Sequence, residues 1–413
     1  MSRIQLEFGG LSYSSISSRS IPPFGFDGIR TGFSESQSVR IAENGGIGLR
    51  PQILLCYPRR DRKGSDADRN PPHGGQPQET MPRLYIEEYT HSLEGKSVCI
   101  ACREGILRDN LNAVISDVKL LSRLKIKTAL YHNIANRFAN QKYFRLLADR
   151  LSETRIVRVP PDVDFYSYVL DHEENVHKLI FLERKALVDH LGNRINSVTT
   201  QGVRQSINAW GDLIANTNFK GVLDRICSRI DSGHYDRVHI LPAGKDAIKY
   251  ELFTIEGWGT LIANNFVERF QPVATENEVR LIDGILKLYK SEGYLKPRTK
   301  EYLILHRNNF YVTTIDDIVV GCVEKKTIDA QTAEIAALAI STRFRNQRVG
   351  VFTVQAFIDE LKRKGFKRFI SLTNNPNLKR LYLSMGFEPC QGPEYSERQA
   401  ASPGVAMYYL EIA

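Results

Sequence analysis

Three arginines and one carboxylate near the C-terminus have the types and spacing that chemistry needs. Arg343, Arg345 and Arg348 fall within one turn, Arg343-Phe-Arg-Asn-Gln-Arg-Val-Gly350. The turn follows an apolar strand, Thr332-Ala-Glu-Ile-Ala-Ala-Leu-Ala-Ile340, and opens a helix expected from about Val351 to Lys364. The first N–H groups of a helix have no partner inside it, and the helix dipole adds partial positive charge at that end. Successive loop N–H groups can form an anion nest. With three guanidinium groups added, the stretch suits a phosphate. Glu334 sits on the strand among small and apolar residues. Alternation along a strand places Glu334, Ala336 and Leu338 on one face. A carboxylate in such surroundings is expected to have a raised pKa, which suits a general base.

The elements that position these residues continue downstream. A second strand, Lys367-Arg-Phe-Ile-Ser-Leu-Thr373, leads into Asn374-Asn-Pro-Asn-Leu-Lys-Arg-Leu-Tyr382-Leu-Ser-Met-Gly-Phe387, a helix with a Gly-Phe ending. Upstream, Ser97–Ala101 and Ile126–Tyr131 read as buried strands. Leu111, Val114, Val118 and Leu121 form a helical stripe within an expected helix from Leu107 to Leu124. Further strands are expected at Arg155–Val159, Lys178–Phe181 and Arg237–Leu241, with helices through Arg150 and over much of Val203–Ile230. Strands alternating with helices predict a mostly parallel sheet covered on its faces.

Composition narrows the classes. A chain of 413 residues suggests two to three domains, and 42% apolar residues suffice for real cores. The net charge of +9 is modest, and Lys and Arg are spread along the chain, so no nucleic-acid surface is expected. No apolar run approaches a membrane span. Six cysteines stand far apart and do not form a disulfide framework, which fits a reducing compartment. Cys99 and Cys102 have redox spacing, but residues three apart on a strand point to opposite faces, so they are expected as structural thiols. No metal site is expected. Residues 1–80 hold 11 of the 29 Gly and 7 of the 17 Pro without apolar periodicity, and they are expected to be a disordered, dispensable leader ahead of Met81.

Several motifs resemble known families. Arg345-Asn-Gln-Arg-Val-Gly350 resembles the Arg/Gln-x-x-Gly-x-Gly/Ala signature of the GNAT superfamily of N-acetyltransferases, with Arg348 in place of one family glycine and Gly350 retained. Asn375, Tyr382 and Gly386-Phe387 resemble that superfamily's ending. The resemblance implies that the turn binds the pyrophosphate of acetyl-CoA through Arg345, Asn346, Gln347, Arg348, Val349 and Gly350. It implies that Asn375 contacts the pantetheine arm and that Tyr382 is the acid facing the thioester sulfur. Backbone groups of Leu338, Ala339 and Ile340 would lie along the thioester, and Glu334 matches a family Glu expected to act as base.

Glu251-Leu-Phe-Thr-Ile-Glu-Gly-Trp-Gly-Thr260, with Arg237-Val-His-Ile-Leu241, is similar to the end of the amino-acid-kinase domain in N-acetylglutamate kinases and synthases. Leu281 to Tyr302 resembles the start of the synthases' acetyltransferase half. The implied fold is α/β: an amino-acid-kinase-like three-layer α/β/α domain over 81–268, then a GNAT domain with a mixed sheet over 269–413. The implied function is transfer of acetyl from acetyl-CoA to the α-amine of an amino acid, with glutamate in arginine biosynthesis first. The alternatives are another small amine, or a non-catalytic sensor of arginine or acetyl-CoA. Arg298, Lys325 and Ser402 are expected to bind the acceptor. Glu251, Gly257 and Gly259 are expected to bind arginine as an effector. A cytoplasmic homo-oligomer is expected, or an organelle-matrix one in a eukaryote. Ala101-Cys-Arg-Glu-Gly105 lacks the kinases' Gly-Gly turn and Lys, and Asn133 stands where a glycine is needed, so the first domain is expected not to transfer phosphate.

Overall fold

The structure, a computed structural model, describes residues 83–189, 192–210, 219–266, 268–291, 293–345, 347–390 and 395–412. The expected leader, Met81 and Asn346 lie outside these residues. All that is described belongs to one compact unit.

The first sheet contains β1 (Ser97–Cys102), β2 (Lys127–His132), β3 (Arg155–Arg158), β4 (Val176–Glu183), β5 (Ser197–Thr199), β6 (Tyr235–Pro242) and β7 (Thr260–Ala263), in the spatial order β3-β2-β1-β4-β6-β7-β5. The strands from β3 to β6 run parallel, and β7 is antiparallel to β6. Runs such as Leu179-Ile-Phe-Leu182 are fully buried, as a sheet covered on both faces requires. The helices are α1 (Ile86–Leu93), α2 (Glu104–Asp109), α3 (Leu111–Arg123), α4 (Gln141–Arg150), α5 (Phe165–His172), α6 (Thr200–Trp210), α7 (Phe219–Asp231) and α8 (Ala247–Phe253). One face packs on α2, α3 and α8, the other on α5 and α7, which makes the expected three layers. Cys99 and Cys102 enter the apolar clusters on opposite faces, as expected, and burial pushes both thiols up, Cys99 to about 12. The helix expected from Leu107 to Leu124 is instead two. Asn110 breaks it at φ −120°, and its side-chain amide donates to the Ile106 carbonyl at 3.0 Å, a local bond that competes with the helix.

The second sheet contains β8 (Glu268–Pro272), β9 (Phe310–Ile315), β10 (Ile318–Thr327), β11 (Thr332–Ile340), β12 (Arg368–Thr373), β13 (Glu388–Pro389) and β14 (Ala406–Glu411), in the order β13-β14-β12-β11-β10-β9-β8. The helices of this half are α9 (Glu276–Ser291), α10 (Lys300–Leu305), α11 (Val349–Arg363), α12 (Pro376–Ser384) and α13 (Ser396–Ala400). Neighbouring strands are antiparallel except β11 and β12, so the sheet is mixed. No described helix is long and apolar enough to cross a membrane.

The two sheets share a core. Leu130 and Ile180 of the first lie in one apolar cluster with Val312, Cys322 and Ala339 of the second, together with Leu93 of α1, Ile248 of α8 and Ile285 of α9.

Two irregularities in the second sheet create the site. β11 and β12 pair only from Thr332↔Arg368 to Glu334↔Ile370. Beyond that, β11 follows β10 to Ile340 while β12 follows β14 to Thr373, and the strands part. In β11, Ala337 adopts φ +49°, and one extra residue opposes β10 between the pairs Ala336↔Glu324 and Ala339↔Cys322. This is a β-bulge. It overturns the expected alternation: Leu338 joins Ala333 and Ile335 in one apolar cluster, whereas Ala337 and Ala339 face the shared core.

Candidate active site

The cleft where β11 and β12 separate is lined by Ala337, Leu338, Thr373, Asn375, Tyr382 and, from α9, Tyr289. Asn375 is buried and caps α12, its Oδ1 accepting the Asn377 N–H at 2.9 Å, with Pro376 opening the helix. Its Oδ1 is therefore engaged, and its Nδ2 is the donor left to it. Tyr382 lies one helical turn before the Gly-Phe ending and is fully buried. Ser371 is committed to the Ile335 carbonyl at 3.1 Å, and the Tyr382 hydroxyl has no hydrogen-bond partner among the described residues. Burial pushes its pKa up, and the Glu334 charge adds to the shift. The phenol therefore keeps its proton and can donate it.

The arginine turn divides in two. Arg345 and Arg348 are exposed, with the Arg345 guanidinium 5.7 Å from the Tyr289 ring centre. Arg348 sits at φ +62° immediately before α11, in the conformation a glycine takes easily, and makes no side-chain cap. Val349 starts the helix, and Gly350 faces Leu381 so closely that a Cβ would approach it to 3.1 Å. Gln347 donates to the Ser197 carbonyl at 3.0 Å, and the Ile340 carbonyl accepts from the Tyr289 hydroxyl at 2.7 Å. Arg343 differs from the expectation. It is buried and ion-paired with Glu251 of the first domain, so it is withdrawn from the phosphate end.

The acceptor side also differs. Glu334 is buried, and Arg398 grips both its oxygens at 2.6 and 2.7 Å. Both carboxylate oxygens are thus engaged in a bidentate pair with a guanidinium, an arrangement that holds Arg398 in place instead of presenting the carboxylate to an amine. Arg398 also donates to Ser402 at 3.1 Å, and Lys296 reaches the same hydroxyl at 3.2 Å. Arg298 does not present a free fork. Its Nε and Nη2 lie 2.8 and 2.5 Å from buried Glu324, and its Nη1 donates to the Lys296 carbonyl. Lys325 lies over the Phe366 ring at 5.8 Å. Arg398 and Lys296 were not singled out in the sequence. The signal for Arg398 was its place one helical turn before Ser402.

The expected arginine site is filled from within. Glu251 accepts from Arg343, from His239 at 2.5 Å, and from the Trp258 and Gly259 N–H groups at 2.6 and 2.8 Å. Gly257 has φ +67°, and a Cβ there would lie 2.7 Å from Arg343 Nη1. At Gly259 a Cβ would lie 2.3 Å from the Ile240 carbonyl oxygen, so that glycine serves strand packing. In the first domain, Asn133 Oδ1 accepts the Glu104 N–H at 2.7 Å at the start of α2, and Arg103 pairs with Glu183 at 2.8 Å.

Residues 280–387 match the acetyltransferase (GNAT) family. The chain is 26% identical over 213 residues to the amino-acid acetyltransferase of Pseudomonas syringae pv. tomato, which covers 51% of this chain and 48% of that protein. It is 30% identical over 168 residues to that of Neisseria meningitidis serogroup A, covering 40% of this chain and 38% of the relative. The chain thus spans about half the length of the curated relatives it matches. Among solved structures, it is similar to N-acetylglutamate synthase from Neisseria gonorrhoeae complexed with coenzyme A and L-arginine, at 18% identity, with 79% of this chain and 98% of that one covered and a TM-score of 0.44.

Proposed function

We propose that the chain is an acyltransferase that moves acetyl from acetyl-CoA to the amine of an amino acid, with glutamate the first candidate. The observation that carries this is the cleft between β11 and β12 with the buried, unpaired hydroxyl of Tyr382 in its wall. An orphaned donor there fits a group whose sulfur needs a proton. Acetyl-CoA supplies the activated acyl group. Arg345, Arg348 and the opening of α11 hold its phosphates, and Asn375 Nδ2 bonds along the cleft. Tyr382 retains its proton until it is needed at the departing thiolate. The amide of Leu338 lies in the bulge, outside the paired positions of β10, where it suits a developing oxyanion.

Glu334 acts in this reading by holding Arg398 over Ser402, a cationic cluster with Lys296 that suits an acceptor carboxylate. A second acceptor class, another small amine, is favoured by one observation: Arg298 is closed onto Glu324 instead of facing a substrate carboxylate. The first domain serves as a scaffold without phosphoryl transfer. The test is release of free thiol from acetyl-CoA against a panel of amino acids and polyamines. Release with glutamate supports the first acceptor, release only with a polyamine supports the second, and no release with any amine overturns the reading.

A further inference from the structure

Several contacts among the described residues tie the turn ahead of α11 to the first domain. The Ser341 hydroxyl donates to the Ile255 carbonyl at 2.8 Å. Asn196 Nδ2 donates to the Thr342 carbonyl at 3.2 Å, and the Ser197 hydroxyl to the Arg343 carbonyl at 2.7 Å. Gln347 reaches back to Ser197. The Arg343 side chain forms the only ion pair of the set, entering a buried pocket where Glu251 waits with its second oxygen already bonded to two backbone N–H groups. Burial works to raise the Glu251 pKa, but Arg343 and His239 outweigh it and hold the carboxyl well below the usual range. Arg343 Nη1 also donates to the Glu251 carbonyl at 3.2 Å. The space left beside this cluster is about 40 Å³, room for about one water, and far too little for a second guanidinium with a chain attached.

We infer that Arg343 is a tethered guanidinium that fills the Glu251 pocket and so fixes the turn presenting Arg345 and Arg348. It is a positioning residue. A free guanidinium ligand has no place in the intact protein, and this side chain, the one ion pair beside four hydrogen bonds among the described residues, is how the first domain adds to the affinity of the phosphate turn. The Gly257 backbone fits the idea, since only a residue without Cβ lets Nη1 come so close. The inference rests on the reading of that turn as the acetyl-CoA phosphate site.

The experiment removes the tether and supplies the group in solution. Arg343→Ala should raise the acetyl-CoA KM about tenfold with little change in kcat, as loss of a ground-state positioning element does. Millimolar methylguanidinium or L-arginine should restore that KM and raise the melting temperature of Arg343→Ala, while methylammonium at equal concentration should not. Intact protein should give no heat with arginine in calorimetry. Arg343→Lys, which keeps the charge without the fork, should fold and show a raised KM that methylguanidinium leaves unchanged. Failure of both guanidinium compounds to rescue Arg343→Ala, or arginine binding by the intact protein, overturns the inference. If intact protein binds no acetyl-CoA, the phosphate-site reading fails. The melting-temperature rescue then still decides whether Arg343 occupies a guanidinium pocket.

Discussion

After β1 the chain enters α2, and after β11 it enters α11. Both openings follow a strand with a parallel neighbour, and both present the positive end of a helix. They differ in what meets that end. At α2 the Glu104 N–H is taken by Asn133, while the Glu104 carboxylate accepts from the Ala135 N–H at 3.1 Å and from Asn140 at 3.2 Å. Arg103, the residue before α2, is spent on buried Glu183, and Arg108 pairs with Glu104 itself at 3.4 Å. At α11 the residue before the helix provides no cap, and two arginines stand exposed. An anion site requires a helix end that the fold leaves open to solvent: the α2 end is covered by its own neighbours, whereas the α11 end carries no side-chain cap and has Arg345 and Arg348 at the surface. The closed opening belongs to the domain that grips the open one.

The largest expected effect lies in the cleft beside the open end. Tyr382→Phe keeps the ring and its packing and removes only the hydroxyl. A general acid contributes roughly two to four orders of magnitude, and a thiol is a fair leaving group, so kcat should fall about 100-fold or less with the acetyl-CoA KM unchanged. The pH profile sharpens this. The protonated phenol is the competent form, and burial raises its pKa, so its loss moves to higher pH. The wild-type rate should therefore not fall as pH rises through 10, the ordinary tyrosine value. A decline centred there and absent from Tyr382→Phe would show the hydroxyl to be solvated.

Next in size is Glu334→Gln. The neutral amide accepts from Arg398 on one oxygen only and leaves a partly buried cation without its counter-charge. Hydrogen bonds to charged groups contribute roughly 1.5–3 kcal/mol, so a loss of stability of about that size should appear in chemical denaturation. A shift of the rate profile to higher pH without loss of stability would restore Glu334 as the base.

Much of the second domain was legible. β11, α11, β12 and α12 fall where periodicity put them, because each is a local pattern of apolar spacing, cap and turn. Roles depending on partners distant in sequence were not legible. Glu334 meets Arg398 across 64 residues, and Arg343 meets Glu251 across 92. Nothing in the turn distinguishes Arg343, which is buried, from Arg345, which is not. Ala337 was hidden for another reason. Alanine carries no sign of a positive φ, so the bulge that moves Leu338 to the other face left no mark. In the first domain the missing Gly-Gly was visible, but the plug that Glu104 and Asn133 make was not.

The comparison of the two openings has a direct test. Arg345→Ala should raise the acetyl-CoA KM by about tenfold at low salt, less at high salt, with kcat little changed, since a phosphate contact binds ground and transition states alike. Asn133→Gly should free a donor at α2 yet produce no ATP turnover and leave acetyl transfer within about twofold. ATP hydrolysis by either protein would show that the first opening is not closed.

The smallest effect tests the backbone of the open end. Arg348 holds φ +62° just before α11, where a side chain costs roughly 1–2 kcal/mol and glycine almost nothing. Arg348→Gly relieves that cost. Against this, glycine adds freedom to the unfolded chain worth roughly 0.5–1 kcal/mol. The balance is a gain of at most about 1.5 kcal/mol, a rise in melting temperature of a few degrees at most. The same change removes a charge from the phosphate turn, so the acetyl-CoA KM should rise, and the rise should shrink as salt increases. Stability up and affinity down would mark Arg348 as a residue kept for its charge in spite of its backbone. If both fall, the left-handed conformation at 348 is not strained, and the side chain supports the turn in some other way.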